Sequence, residues 1–296
     1  MVFKNTLFLV LATTFTSFCF AQTNVLNVTE PDQIGVRTQS QLEKDNDKPL
    51  EYGYVDDRDV LWAKTTWEII DLDERVNFPL YYPIDTMNIG KDRRSLYDVL
   101  VKGIKTGKIE NVYSDSYFTE KRTLSDISAS LKRVDTTDYG IEQINAGEAV
   151  SAEYIDTREI TSQDILEYHI KGLWYFDKRQ GELRYRLLGI APVAPDVNFL
   201  DDDEPDLVPL FWVFYPDARE ILHSAKAFNS KNTLKPISFD HLLNSRRFSS
   251  IIYKEDNELG DRKVEDYIND NSLLQLIESE RIKESIRDFE QDMWNY

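Results

Sequence analysis

Cysteine is almost absent. The 296-residue chain has one, Cys19, and it falls within the opening segment MVFKNTLFLVLATTFTSFCFAQ. Lys4 is the sole charge there, an apolar run extends from about Leu7 to Phe20, and Ala21-Gln22 closes it. The segment reads as a secretory signal peptide cut between Ala21 and Gln22, too short and too broken by Thr and Ser to span a membrane. Lipid attachment at Cys19 is the weaker alternative, because bulky Phe18 stands where a small residue is needed. After the cut no cysteine remains. Disulfides, cysteine zinc sites, redox dithiols and cysteine nucleophiles are then excluded, and an exported chain of this length must be held by its core.

Other absences narrow the chemistry further. Glycine is scarce, at 11 residues, and none of the patterns G-x-x-x-x-G-K-[ST], G-x-G-x-x-G or G-x-S-x-G occurs. A phosphate cradle and a nucleophile elbow therefore have no sequence basis. His169, His223 and His241 are the only histidines; no two stand four apart, and each is expected on a helix as a structural residue. No segment after the leader has 18 uncharged apolar residues, so no transmembrane helix is expected. Basic residues are outnumbered 35 to 53, and loss of Lys4 with the leader takes the net charge from −18 to −19. Such a surface repels phosphate backbones and anionic headgroups, which argues against nucleic-acid or electrostatic membrane binding. Solubility is the plain reading of the acidity, and a basic protein partner the sharper one.

Carboxylates are the remaining source of chemistry. Asp201-Asp202-Asp203-Glu204, in the acidic loop 201–206, offers hard oxygen donors for calcium but lacks the spaced D-x-D-x-D-G pattern, so a solvated loop is expected. Asp71, Asp73 and Glu74 fall on helix turns that point them apart, which disfavours a paired-carboxylate glycosidase. Trp62, Trp67, Trp174 and Trp212 all sit in expected regular elements, where core is a better reading than a sugar or peptide groove. Nothing here warrants an enzyme, a cofactor or a metal.

What is present is burying surface. Residues 22–55 are polar and aperiodic, a flexible arm ordered, if at all, by a partner. A core is expected over 56–260, in which ISFDHLL (237–243) and RSLYDVL (94–100) hint at two similar halves or at coincidence, with a C-terminal helical segment over 261–296. In DVLWAKTTWEIIDLDERVNFPLYYP (59–83), acidic N-cap residues from Asp56 predict a helix to about Val76, with Lys64–Glu68 and Asp71–Arg75 as i,i+4 pairs. That helix is apolar over about twice the usual stripe and so packs on two sides, within the chain or against a subunit. Phe78 to Pro83 reads as extended. A serine-capped helix with a Gly103 stop is expected over 95–103, a helical turn over Ser125–Leu131, a loop over Asp135–Glu148, and another capped helix from Ile160. Two runs around Asp177 to Gly181 predict a β-hairpin over 172–193, LVPLFWVFYP (207–216) a central strand, and Asp217 onward a helix. Residues 272–293 predict a charged helix with an apolar stripe at Ile282, Ile286, Phe289 and Met293. The class is α+β: an antiparallel meander with helices on one side, a flexible N-terminal arm and a C-terminal amphipathic helix.

Four runs, DVLWAKTTWEIIDLDERVNFPLYYP, LWYFDKRQGELRYRLLGIAPV, PLFWVFYPDAREILHSAKAFN and SSIIYKEDNELGDR, in that order, resemble the GldN/PorN family. That family belongs to the type IX secretion and gliding-motility machinery of Bacteroidota. The resemblance covers roughly residues 50–270. It implies a non-catalytic periplasmic subunit, peripheral to the outer membrane, that forms rings with its own copies and the lipoprotein GldK/PorK and touches the motor protein GldM/PorM. On that expectation Trp67, Leu80, Tyr81 and Tyr82, with the stripe Ile282, Ile286, Phe289 and Met293, are candidates for subunit contacts.

Overall fold

The structure, a computed structural model, describes residues 48–294 apart from 86–92, 148, 150, 200–204, 230, 233–235, 259 and 270. The expected leader, its Ala21-Gln22 junction, residues 22–47 of the arm and the acids Asp201 to Glu204 lie outside the described residues. Residues 49–296 cluster into one unit.

After a short turn capped by Asp56, strand β1 (Val60–Asp71) is followed by the single helical turn α1 (Phe78–Tyr81) and helix α2 (Leu96–Lys105). Next come β2 (Val112–Tyr113), α3 (Leu124–Leu131), β3 (Lys132–Thr136), α4 (Asp138–Asn145) and β4 (Ile155–Glu159). The long hairpin is β5 (Glu167–Asp177) and β6 (Glu182–Pro195), turning at Gly181 with φ of 66°. Then follow β7 (Leu207–Pro209), β8 (Trp212–Phe214), α5 (Tyr215–Ser224), β9 (Lys226–Ala227), β10 (Ile237–Ser238), α6 (Phe239–Asn244), β11 (Ile251–Glu255), α7 (Val264–Tyr267) and α8 (Ser272–Trp294).

Seven strands form one sheet in the order β11-β1-β5-β6-β8-β2, with β7 also on β6, and every pairing is antiparallel. The expected α+β class is what the chain adopts. Register shows why the sheet has one helical side. Ile70 pairs with Tyr168, Glu68 with Ile170, Lys64 with Trp174 and Trp62 with Phe176, and residues directly opposite share a face. Ile70, Tyr168, Ile170, Leu187 and Ile190 on that face pack with α2, α5 and α6. Further along the same face, Trp174, Leu183 and Ile252 pack under α8 through Ile282 and Ile286. Trp67, Ala191 and Trp212 face the other way.

The helix expected from Asp56 to Val76 is β1. Its residue types favour a strand: Thr65-Thr66, Ile69-Ile70 and two tryptophans are β-branched or aromatic. Because β1 lies between β5 and β11 with both faces covered, its polar–apolar alternation is masked, and apolarity on every side resembles a buried helix equally well. Neither i,i+4 ion pair exists. Lys64 instead holds Glu255 at 2.6 Å, and Glu68 holds Arg246.

Other corrections have local causes. The 95–103 helix forms, with the Ser95 side chain accepting from the Asp98 N–H, but it runs to Lys105 and the left-handed turn falls at Gly107. Gly103 instead lets α2 close on α5, since a Cβ there would lie 2.9 Å from Ile221. Residues 135–148 hold the end of β3 and α4 rather than a loop. The capped helix expected from Ile160 is one turn, Thr161 against Asp164, before β5 begins at Glu167. The run 207–216 splits into β7 and β8, and Phe78 to Tyr81 is helical rather than extended.

Candidate interaction surfaces

At the junction of the two helical packs, one carboxylate is wholly inside. Glu68 has no exposed surface; Arg246 reaches it through Nη1 at 3.1 Å and Nη2 at 2.6 Å, and Thr66 also donates to it. The Ser250 hydroxyl donates to the same carboxylate. The guanidinium lies 4.3 Å from the Tyr185 ring centroid and 5.0 Å from that of Trp174. Arg246, Ser250 and Thr66 all donate to the Glu68 carboxylate, so the site ties the segment between α6 and β11 to β1. Removing one partner would strand the other charge, at a cost of about 3–5 kcal/mol.

The opposite face of the sheet has its own cluster. Lys254 and Lys171 place their ammoniums 4.3 Å and 4.9 Å from the Trp67 ring centroid, and Tyr117 closes the stack at 5.7 Å. Burial pushes both lysine pKa values down. Burial and the Asp261 carboxylate push the Tyr117 phenol up to about 12. Tyr117 donates to Asp261 and accepts from Lys254, so these cations are committed to holding loop 114–120 over Trp67. Residues 50–53 of the expected arm are likewise held. Arg219 lies 4.1 Å from the Tyr52 ring centroid and Arg186 donates to the Gly53 carbonyl.

Among the described residues no three His, Cys, Asp or Glu side chains gather as a metal site, and no helix is long and apolar enough to cross a membrane. What the molecule does leave outside is apolar surface. On α8, Leu273 is 66 % exposed and Ile277 54 %, with Leu274 and Leu276 also exposed. At 100° per residue, Leu273, Leu276 and Ile277 lie on the side of the helix away from Ile282. A second group, Val76, Phe78 and Tyr82, is exposed just beyond β1, the two rings meeting edge to face at 5.4 Å. A third, Tyr139, Ile141 and Ile144, lies on α4.

The sequence profile for gliding motility associated protein GldN matches residues 55–295. The chain belongs to the GldN family. No curated protein matches it.

Within this GldN-family chain the sequence-derived contact candidates separate by depth. Trp67, Leu80, Ile282 and Ile286 are buried in the chain's own core. Phe289 stacks on Trp62 at 4.8 Å and meets Phe176 at 5.9 Å. Tyr81 is half-buried and donates to the Gln163 carbonyl, while Met293 is half-buried on α8. Tyr82, 44 % exposed, is the one of the eight with a largely open side chain. The stripe thus fastens α8 to its own sheet. The exposed group Leu273, Leu276 and Ile277 was legible as an i, i+3, i+4 pattern in SLLQLI but is hidden beside the stronger stripe.

Proposed function

We propose that this chain is a non-catalytic building part of the type IX secretion and gliding machinery. In this reading it works in the periplasm beside the outer membrane, assembles with its own copies and the lipoprotein GldK/PorK into rings, and touches the motor protein GldM/PorM. The observation that carries it is the family match over 55–295, which spans the three exposed apolar groups described above. Interface centres favour aromatic and aliphatic side chains over Lys, Glu and Asp, and Leu276-Ile277 and Phe78-Tyr82 supply such side chains on an otherwise acidic chain. The test is co-purification from the cell envelope followed by size analysis. The chain is expected in a large assembly with the lipoprotein; recovery solely as a free monomer contradicts the reading.

A periplasmic carbohydrate- or peptide-binding role is the second reading, favoured by the cleft beneath α8. A soluble sugar or peptide that raised the melting temperature of the free chain would support it.

A further inference from the structure

The C-terminal helix does not seal against the sheet along its whole length. Between them lies a cleft of about 330 Å³, near the lower end of the roughly 300–1,000 Å³ of small-molecule sites. Trp174, Leu183, Ile252 and Ile286 wall it, and its polar floor is the Glu68–Arg246 pair. Nη1 and Nη2 of Arg246 both bond the Glu68 carboxylate, so the two floor charges are already paired with each other.

The mouth is different. Glu280, Lys283 and Arg287 line it from α8. Lys283 donates to the Ser250 carbonyl at 2.7 Å and to Glu280 at 3.2 Å, which engages that acid. Arg287 approaches the same Glu280 no closer than 4.0 Å and its side chain is 62 % exposed. Over the whole lining, three cations face two acids in a chain of net charge −18. The spare positive charge sits at the rim, beside an apolar wall.

We propose that this cleft binds a small amphiphile: a short aliphatic or aromatic body against Trp174, Leu183, Ile252 and Ile286, and one carboxylate head at Arg287. Burying the body removes apolar surface from water on both partners, and the head gains a charge-assisted bond at the rim. Bound across sheet and helix, the ligand pins α8 down. None of this rests on ring assembly, so it stands or falls separately from the function proposed above.

The probe is octanoate, with octanol as the uncharged arm, added to the full chain. Octanoate at about a hundred times its Kd is expected to raise Tm by about 5 °C or more and to slow amide exchange over 280–290, and octanol to do much less of both. Arg287→Glu is expected to keep the fold and lose the octanoate advantage, leaving the two probes alike. Leu183→Trp, which fills the cleft, is expected to abolish both responses. The idea is overturned if octanoate moves neither reading, if octanol matches it in the unaltered chain, or if Arg287→Glu responds as the unaltered chain does. Should Leu183→Trp not fold, the Arg287 variant and the exchange data still decide.

Discussion

The two sides of α8 carry comparable apolar side chains and use them in opposite ways. Ile282 and Ile286 are buried against Ile252 and Val264, and Phe289 stacks on Trp62. Leu273, Leu276 and Ile277, on the other side and nearer its N-terminus, face water. A surface helix needs one apolar stripe to fasten it, so a second apolar group on the far side is not explained by folding. The inward side is a stability element. The outward side is surface to spare, and it is the surface that the proposed assembly would use.

Substitutions can break this contrast. The largest effect should come from Ile282→Asp, which places a charge in a fully buried site and should cost on the order of 5 kcal/mol in urea unfolding. Arg246→Ala follows at about 3–5 kcal/mol, because Glu68 is left charged and unpaired; a double change, Arg246→Leu with Glu68→Leu, should recover part of that loss. Leu276→Lys with Ile277→Lys should stay within about 0.5 kcal/mol of the parent while removing the chain from the proposed assembly. The smallest effect concerns pH. The Arg281 side chain beside Glu278 holds that carboxyl below its usual range, so the bond adds stability above the ordinary glutamate pKa of about 4.3 that is lost as pH falls through the folded value. Glu278→Gln should therefore lower Tm slightly at pH 7, and by less as the pH is taken down below the ordinary glutamate range.

Sequence and structure part company where two patterns look alike. The class, the β5–β6 hairpin, the serine-capped α2 and the α8 stripe were legible because caps, a turn glycine and a clean 3.6-residue period are local signals. Segment 60–71 was not, since a strand covered on both faces shows no alternation, and Lys64 and Glu68 find their partners 191 and 178 residues away. Those pairings are set by the sheet order, which no local window contains. The contact candidates failed to separate for a related reason: aromatic content alone marks Trp67 and Tyr82 equally, and only register sends the first beneath two lysines and leaves the second open. Residues 50–53 look featureless in sequence because their partners, Arg186 and Arg219, lie in β6 and α5.

The most direct test is envelope co-purification of the Leu276→Lys, Ile277→Lys chain, scored by size beside the parent after both are shown to melt alike. A well-folded variant recovered as free monomer, with the parent in a large complex, is the predicted result. Recovery of the variant in the same complex at parental yield would contradict the claim that this outward face is for docking.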